Sequence, residues 1–149
     1  MAPPVHPVDV FLVLHDGGSV LLALRQNTGY DDGRWNLPSG KLEHGEDALS
    51  GVIREAREEV GILLSPSSVR LAATVHHRAG PSHARVGLVF AAPFAPAAHG
   101  SPVNAEPHKC DGIGWFPVAD LPAEMSGYSA DCIEAYRSGV PFALSGWDA

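Results

Sequence analysis

The segment from Glu46 to Gly61 constrains the fold of this chain more than any other: it is helical by composition, bounded at both ends, and divided into an apolar face and an acidic one. Glu46 and Asp47 favour a helix N-terminus by their charge, Ala48 to Val60 has helix-forming composition, and Gly61 suits the left-handed position beyond a last turn. At about 100° per residue, Leu49, Val52, Ile53, Ala56 and Val60 fall within roughly one 100° sector, the stripe that must pack on a core. Glu55, Glu58 and Glu59 cluster on a neighbouring sector about 120° away, because spacings of three and four residues place side chains on one face. Like charges so spaced cost about a few tenths of a kcal/mol per pair in an isolated helix. A divalent cation offsets that cost, and hard carboxylate oxygens are what Mg²⁺ prefers. A solvated acidic face is the other reading of the same residues, and the helix alone does not separate the two.

The rest of the chain supplies strands for that helix to pack on. Val8 to Leu14 and Val20 to Leu24 read as strands joined by a turn at Asp16-Gly17-Gly18. Gln26 to Arg34 is a polar loop, and Trp35 to Gly40 is a short extended piece ending in a turn. Val69 to His77, Arg85 to Phe94 and Ile113 to Val118 are further strand candidates. The Ala- and Pro-rich stretch from Ala91 to Pro107 reads as a surface loop, and Asp131 to Ser138 as a closing helix with Ile133 and Tyr136 inward. With no internal repeat and 149 residues, one α+β domain over residues 1–149 is expected, a mixed sheet with helices on its faces.

Composition narrows the partners. Ten basic against seventeen acidic residues give a formal charge of −7, with no basic run, so the phosphate-neutralising surface that a nucleic-acid polymer requires is missing. A small phosphorylated ligand is compatible with that charge if a metal ion carries the positive charge into an acidic site. No stretch approaches the roughly 20 apolar residues of a membrane span, and Met1 to His6 lacks the regions of a signal peptide, so a cytoplasmic location is expected. Cys110 and Cys132 form no C-x-x-C pair and read as free thiols; the eight histidines show no zinc-ligand spacing.

The surroundings of the acidic helix decide between its two readings. From Gly40 the chain runs through five residues to Glu46, then seven residues to Arg54-Glu55-Ala56-Arg57-Glu58-Glu59-Val60-Gly61-Ile62. This resembles the Nudix box, G-x5-E-x7-R-E-U-x-E-E-x-G-U with U apolar, at all nine specified positions over 23 residues. Val8 to Leu24 is similar to the family's opening strands and Trp35 to Gly40 to its lead-in; Trp115-Phe116-Pro117 with Asp120-Leu121-Pro122 resembles its late strand and turn. The resemblance implies a Nudix-type α/β/α sandwich in which the box forms a catalytic loop-helix-loop, and a small enzyme like the MutT group.

The resemblance also implies roles. Glu55, Glu58 and Glu59 become metal ligands and catalytic residues, with the Gly40 carbonyl a further ligand; Arg54 and Glu46 brace the loop-helix-loop, and Gly61 ends the helix. Mg²⁺, with Mn²⁺ as substitute, would neutralise a diphosphate, orient it and lower the pKa of a water. One glutamate assists as base, and sequence does not say which, because closely spaced carboxylates titrate together. Outside the box, Glu106 is the candidate for an additional metal carboxylate, with Asp111 its competitor and a plain loop carboxylate the ordinary reading. Arg25 and Arg78 are candidates for gripping phosphates, and Trp35 or Tyr30 for stacking on a base; each also reads as an ordinary surface arginine or a core aromatic.

The leading expectation is a pyrophosphohydrolase acting on a small nucleotide-like diphosphate, a nucleoside triphosphate or nucleoside diphosphate-X, with release of a nucleoside monophosphate. A non-catalytic Nudix module that senses a nucleotide is the alternative, and it sits poorly with an intact box. An isomerase acting on an isoprenoid diphosphate is a third, and its expected cysteine and glutamate pair is not evident. The family's frequent homodimers leave a dimer open.

Overall fold

The computed structural model describes residues 1–147. Its strands are β1 (Val8–Asp16), β2 (Ser19–Arg25), β3 (Trp35–Asn36), β4 (Ser39–Lys41), β5 (Arg70–Gly80), β6 (His83–Pro93), β7 (Cys110–Pro117) and β8 (Phe142–Ser145). The helices are α1 (Ala48–Val60), the one-turn α2 (Pro96–His99) and α3 (Gly127–Ser138). All eight strands join one sheet of order β3-β2-β1-β6-β5-β8, with β4 paired to β1 and β7 to β2. The β1/β6 and β5/β8 pairs are parallel and the others antiparallel, so the sheet is mixed.

Alternation along β1 divides the interior into two cores. Val10, Leu12 and Leu14 pack with Val52, Ala56 and Val60 of α1, whereas Phe11 and Val13 pack with Tyr128, Cys132 and Ile133 of α3. A helix therefore lies on each face, which makes the α/β/α sandwich. Each fully buried Val or Leu contributes about 1.5–3 kcal/mol over its exposed state. The α1 stripe thus anchors the helix and fixes its rotation, and its acidic sector faces away from the core. Both cysteines are buried free thiols.

The ends of α1 follow from local chemistry. Asp47 Oδ1 accepts from Ser50 N at 2.8 Å at the N-cap, and Gly61 closes the helix in the left-handed region at φ 70°. One edge of β1 is shared: residues Asp9 to Phe11 pair with β4, and only His15 and Asp16 pair with β2. The far end of β2 consequently diverges from β1, and the gap between β2 and β4 lies beside α1.

Three parts of the structure differ from expectation. The Ala91–Pro107 stretch is not wholly a surface loop: its first residues belong to β6 as far as Pro93, within the strand expected over Arg85 to Phe94, α2 follows, and His99 is buried, with its Nε2 accepting from Ala95 N at 2.8 Å. A period too short to register in a one-turn helix hides it. The closing helix begins at Gly127, four residues earlier than Asp131, because its first turn is small and polar apart from Tyr128. Strand β8 follows a turn and adds in parallel beside β5, a long-range pairing with no local signature.

Candidate active site

A cleft of about 450 Å³ opens in the gap between β2 and β4, and Glu55, Glu58, Glu59, Glu106, Gly40 and Arg25 all line it, together with Lys109. Gly40 sits opposite Val10 in the β4/β1 ladder, and a Cβ there would overlap the Glu55 carboxylate. No residue other than glycine lets β4 and α1 approach with Glu55 between them.

Arg54 organises the acidic sector. Its Nε and Nη2 donate to the two oxygens of Glu46 at 2.7 and 3.0 Å, while Nη1 donates to Glu55 at 2.8 Å and Glu58 at 3.1 Å. Nη2 also reaches the Lys41 carbonyl at 3.3 Å. One guanidinium thus ties the loop before α1 to the helix. The hydrogen bond from Arg54 is the main cause holding the Glu46 carboxyl below its ordinary pKa, and Glu46 in turn raises that of Arg54.

Glu59 points into the cleft, and Ser39 N donates to its Oε2 at 3.1 Å. Desolvation pushes its carboxyl well above the ordinary range, and the charges of Glu55 and Glu106 push the same way. Glu55 is also raised, by desolvation first, against the opposing hydrogen bond from Arg54. These neighbouring carboxyls titrate as a pair and hold protons more tightly than free glutamates do. Glu58 is 44% exposed and turned to Arg54.

Backbone bonds bring Glu106 here from far along the chain. The last turn of α1 leaves carbonyls without partners in the helix, and Val103 N donates to Val60 O at 2.9 Å while Ala105 N donates to Glu59 O at 3.1 Å. The strand-like run 103–105 is thereby fastened to the end of α1, and Glu106 follows directly. Asp111 does not line the cleft; it lies one residue into β7.

Two expected contacts are absent from the cleft. Arg78 is not among its lining residues: its guanidinium lies 5.4 Å from the Trp147 ring centroid and its Nε donates to Gly80 O at 3.3 Å. It lies near the end of β5, where the β5/β6 hairpin turns. Trp35 packs edge-on against Phe116, with ring centroids 4.8 Å apart, and serves the core. Arg25 does reach the cleft, where its Nε donates to Tyr30 O at 2.9 Å. Lys109 is a cleft residue that sequence reasoning passed over; its place three residues after Glu106 in the same loop is the signal that was available.

A model of the NUDIX domain matches residues 5–136, and the chain belongs to the Nudix hydrolase family. The crystal structure of a MutT Nudix hydrolase from Burkholderia pseudomallei has the same fold, with TM-score 0.76 and 29% identity over 88% of this chain and 98% of that one. The NAD-capped RNA hydrolase NudC of Pseudomonas putida is 30% identical over 144 residues, 93% of this chain and 48% of the relative. Mouse 8-oxo-dGDP phosphatase NUDT18 is 29% identical over 110 residues, 74% of this chain and 31% of that protein. This chain therefore spans about half or less of the length of these two relatives. Among the described residues, no helix is long and apolar enough to cross a membrane.

Proposed function

We propose that this protein is a pyrophosphohydrolase dependent on a divalent cation, Mg²⁺ with Mn²⁺ as substitute, acting in the cytoplasm. Its reaction is cleavage of a phosphoanhydride bond in a nucleoside triphosphate or another nucleoside diphosphate-X, releasing a nucleoside monophosphate. The observation that carries this reading is the convergence of Glu55, Glu58, Glu59 and Glu106 on one cleft with Arg25 and Lys109. Carboxylates enough for a cation stand beside two positive groups suited to phosphate oxygens. The similarity to enzymes named for a NAD cap and for 8-oxo-dGDP supports a nucleotide-linked substrate. The charge of −7 favours a free nucleotide over RNA.

The donor set fits a hard divalent cation. Every side-chain donor is a carboxylate oxygen, and desolvation first, then the like charge of neighbouring carboxylates, raises the proton affinity of Glu55 and Glu59. Among the described residues no three such groups already surround one point, and Glu58 faces Arg54. Substrate oxygens and water complete the set, as Mg²⁺ sites commonly require. When bound, the cation neutralises the diphosphate and supplies a water acidic enough to attack phosphorus near neutral pH. The protein's own groups do the rest. Ser39 N–H and Arg54 hold Glu59 and Glu55 in place, Arg25 and Lys109 bind phosphate oxygens, and the close approach at Gly40 keeps loop and helix in register.

The test is a screen of purified protein with Mg²⁺ against (d)NTPs, dinucleoside polyphosphates, ADP-sugars and NADH, reading phosphate after a coupled phosphatase. Turnover of at least one nucleotide is expected. Tight nucleotide binding with no turnover under Mg²⁺ or Mn²⁺ would instead make the chain a sensing module.

A further inference from the structure

Beside the acidic cleft lies a second lobe of about 500 Å³ that shares Arg25, Thr28, Asn36, Ser39 and Gly40 with it, so the lobe is within reach of the other end of a molecule whose phosphates occupy the cleft. The lobe contains an assembly that the hydrolytic chemistry does not use. Arg85 of β6 donates from Nε to Asp9 Oδ2 and from Nη2 to Asp9 Oδ1, both at 2.7 Å, and Tyr128 of α3 donates its hydroxyl to Asp9 Oδ2 at 3.0 Å. Asp9 is 8% exposed in its side chain and Arg85 23%.

Every part of the assembly is held in place. The Tyr128 ring stacks on His77 at 4.0 Å and 8° and meets Phe11 edge-on at 4.8 Å. A Cβ on Gly87 would stand 2.7 Å from the Tyr128 hydroxyl, so the glycine leaves the room through which Tyr128 reaches Asp9. A buried ion pair adds little stability over well-packed apolar residues, so packing alone gives no reason for one here. Asp9 has both oxygens engaged, which leaves the outer edge of the guanidinium: among the described residues Nη1 donates to no acceptor, and Arg85 lines the lobe. Tyr30, 55% exposed, lines the same lobe, while Phe11 and Tyr128 are buried behind it.

We propose that Arg85, oriented by Asp9 and Tyr128, determines specificity by donating from its outer edge to the paired acceptors of a 6-oxopurine, O6 and N7, so that guanine and hypoxanthine nucleotides are preferred to adenine nucleotides. A guanidinium fork matches two adjacent acceptors on a flat ring. Adenine offers a donor, its 6-amino group, where the fork needs an acceptor, and the resulting mismatch is what a hydrogen-bonding site rejects most strongly. The Asp9 partner cancels the charge of Arg85, which favours a neutral base over a second phosphate. The exposed Tyr30 ring suits a planar base. This assignment rests on reading the adjoining cleft as the phosphate site.

The experiment measures binding of GMP, IMP and AMP to the full chain with Mg²⁺ by calorimetry, alongside kcat/KM for GTP, ITP and ATP under the same conditions. GMP and IMP should bind about 10–100-fold more tightly than AMP, the range for one bidentate contact, and similarly to each other because they share the O6/N7 edge. Arg85→Gln should weaken GMP and IMP binding and remove or invert the preference, because a glutamine amide accepts from the adenine 6-amino group and donates to N7. The double variant Asp9→Asn/Arg85→Gln, which leaves no buried charge unpaired, should do the same if the single variant does not fold. Wild-type protein that binds AMP as tightly as GMP overturns the proposal, and needs no variant. Equal loss of GMP and AMP binding in the variants also overturns it, since that marks a phosphate contact. A GMP preference without hydrolysis of any nucleotide in the screen above would retain this assignment and reject the hydrolase reading; hydrolysis without base preference would do the reverse.

Discussion

Two half-buried arginines organise this molecule, and their surroundings differ in charge balance. Arg54 faces Glu43, Glu46, Glu55 and Glu58, with Glu59 and Glu106 on the same cleft, whereas Arg85 faces Asp9 alone and a neutral tyrosine. Around Arg54 the carboxylates outnumber the one guanidinium, and desolvation first, then like charge, raises the proton affinity of Glu55 and Glu59. Around Arg85 the charges cancel, and what remains is an oriented hydrogen-bond donor. Surplus charge makes a site for a cation and phosphates, while a balanced pair makes a device for recognition. Both sit on the same sheet, about β1: Gly40 pairs with Val10 on one edge, and Arg85 reaches Asp9 from β6 on the other.

The largest effect that separates the two regions is on turnover. Glu59→Gln and Glu58→Gln preserve size and helix propensity and remove a charged oxygen, so turnover should fall by about 100-fold or more, on the scale of other lost catalytic electrostatics. Circular dichroism and thermal melts should show a folded protein. A folded variant with wild-type turnover would show that the glutamate is a surface charge, and the contrast between the two arginine environments would fail.

A smaller effect sharpens the boundary of the acidic site. Glu106 lines the cleft and Asp111 does not, so Glu106→Gln should lower turnover by about 10-fold, the scale of a lost supporting group at a metal, and change the Mg²⁺ concentration for half-maximal rate. Asp111→Asn removes the same charge a few residues away and should do little. Steady-state rates across a Mg²⁺ titration distinguish them, and the reverse pattern would place the outside carboxylate at Asp111.

The smallest effect is on stability in EDTA. The Glu59 carboxyl has a pKa raised by folding, so its contribution to stability is fully present below the unfolded value near 4.3 and is lost as pH rises through the folded value. Glu59→Gln should therefore melt higher than wild type at pH 8, with the gap closing toward pH 5. Parallel melting curves for the two proteins across that range would show that Glu59 is not under strain from desolvation and like charge.

How much of this was legible in the sequence depended on distance along the chain. The box lies within 23 consecutive residues, so helical spacing alone could set Glu55, Glu58 and Glu59 together, and the bracing of Arg54 against Glu46 follows one turn and a loop away. Glu106 was legible only as a candidate, because its position depends on Val103 and Ala105 capping the end of α1. The Asp9, Arg85 and Tyr128 assembly was not legible: its parts are 76 and 119 positions from Asp9 and meet through a parallel strand pair and a helix crossing. For Arg78 and Trp35 residue type left a phosphate or base contact and an ordinary surface or core role both open, and only the three-dimensional placement sets Arg78 beside Trp147 and Trp35 against Phe116. Strand β8 and the first turn of α3 carry no local signal that composition reveals.

Cation dependence tests the central claim most directly. Purified protein should be assayed with its best nucleotide substrate in excess EDTA and then with Mg²⁺ restored, following products by phosphorus-31 NMR. Hydrolysis should be absent in EDTA and return with Mg²⁺, giving a nucleoside monophosphate as one product. Undiminished hydrolysis in EDTA would contradict the account, because an acidic cleft without a cation repels the polyphosphate it is meant to cut.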